Sequence, residues 1–154
     1  MNMRTTSFVT VFILLLTYSL SAQNQGFGAG IILGDPTGIS AKAWLSEGNA
    51  VDFGLGYSIF PSNKKISLHA DYLFHADGIK FTHGRIPIYY GFGARLRFRE
   101  SKSGSFGARG VIGALYYFKE VPIDLFFEIV PVFQLLPETA LHFDAGIGAR
   151  YYFY

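Results

Sequence analysis

The sequence predicts an all-β protein: an eight-stranded antiparallel up-and-down transmembrane β-barrel, preceded by a cleaved signal peptide. Through most of the chain after residue 26, apolar residues alternate with polar residues or glycine, the period-two pattern of strands with one apolar face. Half of the residues are hydrophobic and only 16% are charged, against roughly 25% in an average soluble domain. Beyond its N-terminal segment, the chain lacks the roughly 20 consecutive apolar residues of a spanning helix. Strands of this kind can be immersed in hydrocarbon only as a closed sheet, in which every backbone group is paired.

The amino-acid composition further limits the kinds of protein to which this chain can belong. A length of 154 residues suits one domain. The 18 Gly, 16 Phe and 10 Tyr suit closely packed, strongly curved strands. A formal charge of +2 provides no field that would recruit nucleic acid. Because the chain has no cysteine, it has neither a disulfide framework nor a thiolate site.

The N-terminus has the layout of a secretory signal peptide. One positive charge, Arg4, precedes the 13-residue apolar run 8–20, and small residues then lead into Gln23. We expect cleavage after Ala22, which assigns residues 1–22 to the signal peptide and 23–154 to an outer-membrane β-barrel domain. The alternative is an uncleaved anchor helix, for which the run is short.

Eight alternating segments are separated by turn residues. They cover residues 27–33, 39–45, 50–59, 66–75, 86–99, 106–118, 123–135 and 141–154. The longest break, 76–85, contains Asp77-Gly78, a pair typical of turns; either it is a long loop, or the fourth strand continues past His75. Pro131 is expected to mark a bulge, because it cannot donate to the ladder.

The alternation leaves two assignments of the faces open. In a soluble lipocalin-like barrel the apolar face points inward, and in a membrane barrel it points outward. Glycines dominate the polar face, which suits a narrow lumen better than a solvated surface. Aromatic clusters such as Tyr89-Tyr90 and the run 151–154 lie near strand ends, where an interfacial girdle is expected. Both features favour the membrane barrel.

With that assignment, five basic and five acidic residues point into the lumen. They are Lys42, Arg95, Arg97, Arg109 and Arg150 with Asp52, Asp71, Asp124, Glu128 and Asp144. A buried charge without a partner costs several kcal/mol, so we expect these groups to pair with one another. An eight-stranded interior is just wide enough for side chains to fill. The sequence therefore predicts a charge-filled, non-conducting lumen.

One polar row invites comparison with catalytic triads. Ser67, His69 and Asp71 share a strand face, but side chains two residues apart are roughly 6.5 to 7 Å apart, too far for a nucleophile–base hydrogen bond. A metal site formed by His69 with His142 and Asp144 is a weak hypothesis, because its geometry is not visible in the sequence. We expect no catalytic, cofactor-binding or metal site and no cofactor.

The segment 141–154 and the run 34–58, GDPTGISAKAWLSEGNAVDFGLGYS, resemble bacterial outer-membrane β-barrel domain proteins. The chain is similar to the small eight-stranded barrels of the OmpA and OmpX type, and to an uncharacterised subgroup in which a GxPTGIS-type turn joins the first two strands. The resemblance implies an outer-membrane location and a terminal assembly signal, here Tyr151, Phe153 and Tyr154. One departure is that the outward set ends at the penultimate Phe153.

The same resemblance implies partners: outer-membrane lipid, and the barrel-assembly machinery and periplasmic chaperones during biogenesis. We expect a monomer with a structural or surface-interaction role and no enzymatic activity. The alternatives are a barrel enzyme acting on outer-membrane lipids, as a hydrolase or acyltransferase, and a soluble lipocalin-like binding barrel.

Overall fold

The computed structural model of the protein describes residues 26–58, 65–82, 84–100, 102–118 and 120–153. The expected signal peptide, residues 1–22, lies outside this part of the chain. Eight strands form one closed antiparallel barrel in which each strand pairs with its neighbours in sequence and β1 pairs with β8. The prediction of an all-β, eight-stranded closed barrel is confirmed. The strands are β1 (Phe27–Gly34), β2 (Gly38–Trp44), β3 (Asn49–Ser58), β4 (Lys65–Phe81), β5 (Gly84–Arg99), β6 (Lys102–Phe118), β7 (Ile123–Leu136) and β8 (Ala140–Phe153).

The two ends of the barrel are distinguished by their connections. At one end lie the β1–β2, β3–β4, β5–β6 and β7–β8 connections, and we call this end the loop rim. At the other end lie Gly26, Phe153 and the remaining three connections, and we call it the terminal rim.

The expectation of a loop over residues 76–85 is wrong, and the alternative of a longer fourth strand is correct. β4 continues to Phe81 and β5 begins at Gly84, with Ile79 opposite Ile86. The register shifts between Ala76 and Ile79. This irregularity inserts one residue into the ladder, so the alternation breaks although the strand does not.

The bulge expected at Pro131 is also not observed. Pro131 pairs with Phe143 of β8, and the pairing of β7 with β6 keeps one register on both sides of Pro131, from Arg109↔Val132 to Ile112↔Ile129. The ladder therefore passes the proline without an inserted residue.

The strands are staggered around the barrel. Following hydrogen-bonded partners from Gly28 leads through Lys42, Asp52, Asp71, Gly93, Arg109 and Val132 to His142. Gly28 itself pairs with Tyr152, ten residues beyond His142. Such a stagger accompanies the tilt of strands in a closed barrel. The same path of register partners shows that four charged residues, Lys42, Asp52, Asp71 and Arg109, lie in one row across the strands.

The two faces of the wall differ in where the charged residues lie. Outward-pointing large side chains are apolar and exposed, for example Ile112 (61%), Phe92 (64%) and Phe143 (71%). Every strand contributes to this apolar exterior. One example from each strand, in order from β1 to β8, is Ile31, Ile39, Phe53, Leu68, Phe92, Ile112, Phe127 and Phe143. The interior contains the buried charges together with an apolar cluster, Ile32, Leu73, Tyr89, Val111, Leu115, Phe126, Val130 and Val132.

Interior glycines make room for large side chains directly opposite them on the neighbouring strand. A Cβ on Gly28 would lie 2.7 Å from the ring of Tyr152, its partner in register. Gly54 faces His69 and Gly148 faces Phe126 in the same way. On this face, the rings of Tyr152, His69 and Phe126 occupy the space that a side chain at the opposite glycine would need.

Across the described residues, none of the elements is a helix with the length and apolarity needed to cross a membrane.

Candidate functional site in the barrel interior

All ten residues predicted to line the lumen are buried in the barrel interior. Most of them are joined into three clusters of ion pairs and hydrogen bonds, which follow one another along the barrel axis. The tenth, Lys42, has different partners.

The first cluster is centred on Arg150 of β8, which is 1% exposed. Its Nη1 binds Asp52 Oδ2 of β3, and its Nε lies 3.2 Å from Asp124 Oδ1 of β7. Tyr152 donates a hydrogen bond to the other oxygen of Asp124 at 2.7 Å. The guanidinium lies 4.0 Å from the centroid of the Phe126 ring, a cation–π contact. Two carboxylates and an aromatic face thus surround one buried cation.

The second cluster joins β4, β6 and β7 in the middle of the barrel. Arg109 Nε lies 3.0 Å from Asp71 Oδ1, and its Nη2 lies 3.5 Å from Glu128 Oε1. Tyr89 donates a hydrogen bond to the second oxygen of Glu128 at 3.0 Å. One arginine therefore bridges two acids on different strands.

The third cluster reaches the loop rim. Arg95 of β5 binds Asp144 of β8 across the lumen, and Arg97 Nη2 lies 3.5 Å from the same carboxylate. Arg97 also binds Asp35 at 3.0 Å, and Lys65 binds Asp35 at 2.9 Å. Asp35 and Lys65 were not predicted as members, because in the sequence Asp35 belongs to a Gly-Asp-Pro turn and Lys65 to a polar stretch between two strands. Asp35 lies in the β1–β2 connection and Lys65 begins β4, and closure of the barrel brings the Asp35 carboxylate to both Arg97 and Lys65.

Lys42 is fully buried and is held mainly by rings. Its Nζ lies 2.7 Å from His75 Nε2, 4.6 Å from the Trp44 ring centroid and 5.2 Å from that of Tyr89. Because an ammonium group can only donate, Nε2 of His75 accepts, and Nδ1 of that ring lies 3.3 Å from the Gly48 carbonyl oxygen. Among the described residues, no carboxylate lies within ion-pair distance of Lys42. Its partner in register, Asp52, binds Arg150 instead.

The row Ser67, His69 and Asp71 does not have the geometry of a catalytic triad. His69 Nε2 lies 4.0 Å from Asp71 Oδ2, longer than a hydrogen bond. Ser67 Oγ and His69 Nδ1 are buried and have no hydrogen-bond partner within the described ranges. Asp71 is bound by Arg109. Nothing in this row activates the serine hydroxyl.

The same holds for the weak metal hypothesis. His142 is half-buried, and Asp144 is bound by Arg95 and Arg97. Over the part of the chain that the structure describes, no group of three or more His, Cys, Asp or Glu side chains is arranged to hold a metal ion.

Two of the three residues predicted to form the assembly signal, Tyr151 and Phe153, are among the described residues. Tyr151 and Phe153 point outward and are 49% and 57% exposed. Their rings meet edge to face at 5.2 Å between centroids. Tyr152 between them points inward, and Tyr154 lies outside the described residues.

Comparison with known proteins is informative at the level of the fold. No protein-family model and no curated protein sequence matches this chain. The N-terminal β-barrel domain of Pseudomonas aeruginosa OprF has a similar structure, with a TM-score of 0.53 and 16% sequence identity. The likeness covers 82% of this chain and 95% of the OprF domain. Together with the closed antiparallel sheet, it confirms the eight-stranded OmpA-like barrel fold that the sequence resemblance implied.

Proposed function

We propose that this chain is a small integral outer-membrane β-barrel protein with a non-conducting lumen and a structural or surface-interaction role. One observation carries the proposal: the exterior is apolar on all eight strands, while the charges are inside. Monomeric soluble proteins rarely expose contiguous apolar patches above a few hundred Å². In hydrocarbon the same exterior is favourable, and barrel closure leaves no unpaired sheet edge. A soluble lipocalin-like barrel would need the opposite distribution.

A plugged lumen is supported by the cross-lumen contacts. Arg95 and Asp144 meet from β5 and β8, and Arg150 and Asp52 meet from β8 and β3. These four residues are 1–5% exposed, which supports side chains that fill the cross-section instead of lining a water column. We expect no sizeable single-channel conductance when the purified protein is reconstituted in planar bilayers. Stable channels of porin size would contradict the plug.

A non-enzymatic role is supported by the geometry of the row Ser67, His69 and Asp71, whose residue types resemble those of a hydrolytic site. Ser67 Oγ has no hydrogen-bond partner among the described residues, His69 Nε2 lies 4.0 Å from Asp71, and Asp71 is paired with Arg109, so this row does not supply Ser67 with a general base. A hydrolase or acyltransferase of membrane lipids would need a Ser, His and acid within hydrogen-bond reach at one rim.

The central test is location combined with folding state. The full chain, expressed in a Gram-negative host, is expected in the outer-membrane fraction, with Gln23 as its first residue by mass spectrometry. Its gel mobility is expected to change on heating, because folded small barrels resist detergent unfolding. Recovery as a soluble periplasmic monomer would overturn the proposal.

The proposed partners follow from the location. An outer-membrane barrel needs periplasmic chaperones and the barrel-assembly machinery, to which Tyr151, Phe153 and Tyr154 would present the signal. Depletion of the assembly machinery should lower the heat-modifiable fraction, and replacement of Phe153 by Ala should do so without depletion. Normal assembly in both cases would remove this part of the proposal.

A further inference from the structure

A cavity of about 340 Å³ opens at the loop rim, between the ends of β3, β4 and β5. Its lining combines two kinds of side chain. Tyr57, Ile66 and Phe98 belong to the exposed apolar exterior, whereas Lys65, Arg99 and Glu100 are charged. The cavity therefore lies where the apolar wall ends and polar surroundings begin.

Basic residues are adjacent in register at this rim. Lys65 of β4 is paired with Arg99 of β5, and Arg99 is in turn paired with Lys102 of β6. Like charges directly opposite each other on neighbouring strands destabilise a sheet. Asp35 partly offsets the charge of Lys65 at 2.9 Å, but it also binds Arg97. Lys65 and Arg99 thus bring two cationic side chains together at this rim, and the carboxylate of Asp35 is shared between Lys65 and Arg97.

Arg99 is the member of the row best placed to receive a ligand. Its Nε is buried and has no hydrogen-bond partner within the described residues, although its side chain lines the cavity. A guanidinium presents a planar fork of donors that matches the oxygens of a phosphate group. Glu100 also lines the cavity, is exposed, and would repel such a group.

We propose that this cavity binds the phosphate group of a membrane lipid, with Arg99 as its principal ligand and Lys65 as the second. Ile66, Phe98 and Tyr57 then contact the first methylenes of the acyl chains, which continue along the apolar wall. The proposal rests on the membrane location proposed above, because only there are phosphate and acyl chain presented together at this height. Phosphate binding would offset the like-charge pairing of Lys65 and Arg99.

Native mass spectrometry of the full mature chain, released from neutral detergent, tests the site. The probes are dimyristoyl phosphatidic acid, dimyristoylglycerol, which lacks only the phosphate, and inorganic phosphate. We expect a one-to-one adduct with phosphatidic acid that R99Q weakens by about tenfold, the effect of losing one charge-assisted contact. R99K should weaken it less, and E100Q should strengthen it. K119Q, which removes the same charge from the β6–β7 connection, should leave it unchanged.

Each other outcome decides against the lipid-phosphate site. Equal binding of dimyristoylglycerol would show that the phosphate is not recognised, and equal binding of inorganic phosphate would show a free-anion site. Equal weakening by R99Q and K119Q would show non-specific charge attraction. Heat-modifiable mobility of R99Q verifies that the variant is folded. A wild-type chain that fractionates with the outer membrane but does not discriminate between the probes would refute the site while leaving the membrane proposal intact.

Discussion

At the scale of single residues, Arg150 has the largest consequence for stability. It is the common partner of Asp52 and Asp124, both buried. Replacing Arg150 by Met leaves two buried carboxylates without a cation, which should lower the free energy of unfolding by about 3 to 5 kcal/mol. Urea titration of the heat-modifiable form in detergent measures the loss.

The control for Arg150 is an exposed charge. Glu47→Gln in the exposed β2–β3 turn should change stability by less than about 0.5 kcal/mol. The double variant R150M/D124N should be more stable than the sum of the two single losses implies, because each removes the partner of the other. A loss below about 1 kcal/mol for R150M would contradict a buried, interdependent network.

Glycine 28 provides a second residue-scale prediction. A Cβ there would lie 2.7 to 3.0 Å from three atoms of the Tyr152 ring, which is held by its hydrogen bond to Asp124. Gly28→Ala should therefore destabilise the barrel by about 1 to 3 kcal/mol. Gly110→Ala is the matched control, because its Cβ would meet only Pro131 Cγ, at an ordinary 3.5 Å. Equal urea midpoints for the two variants would show that the interior is not closely packed at Tyr152.

At the scale of elements, the β4–β5 hairpin allows a direct test of register. The chain has no cysteine, so introduced pairs report without background. I79C with I86C should oxidise to a disulfide, because these residues are directly opposite. Ile88 is two positions away from the register partner of Ile79, so the I79C/I88C variant should form much less disulfide. Non-reducing gels and mass spectrometry measure the disulfide yield of each variant. A higher yield for I79C/I88C than for I79C/I86C would contradict this register and favour a loop over 76–85.

This hairpin also shows what the sequence could and could not predict. Alternation predicted eight strands and their two faces, because neighbouring side chains on a strand must point to opposite sides. It failed at Asp77-Gly78, where an inserted residue reverses the phase and turn-forming residues occur inside a strand. Burial of the ten charged residues follows from face assignment alone. Their pairing depends on the stagger of the strands and on which strands face each other across the lumen. Neither can be read from the sequence of a single strand. For that reason Lys42 was expected to meet an acid and instead contacts His75 and two aromatic rings.

At the scale of the whole molecule, the chemistry of the exterior separates a membrane barrel from a soluble one. Ile112 lies in the middle of β6, points outward and is 61% exposed. In a bilayer, Ile112→Arg should cost about 2 to 4 kcal/mol near the midplane. Leu136→Arg, at the end of β7, should cost about 0 to 1 kcal/mol. Unfolding titrations in lipid vesicles measure both losses, and a harmless I112R would indicate that this face meets water.

The cross-lumen ion pairs have a mechanical consequence. Backbone hydrogen bonds join each strand only to its two neighbours. The cross-section of the barrel could therefore flatten without breaking these hydrogen bonds. Arg95–Asp144 and Arg150–Asp52 join strands that are not neighbours, and Arg109–Asp71 does the same between β4 and β6. These pairs are cross-links between non-neighbouring strands, and a flattening of the cross-section that changes the separation of those strands must distort them. The barrel should therefore resist a change of its cross-section more strongly than its backbone ladders alone would allow.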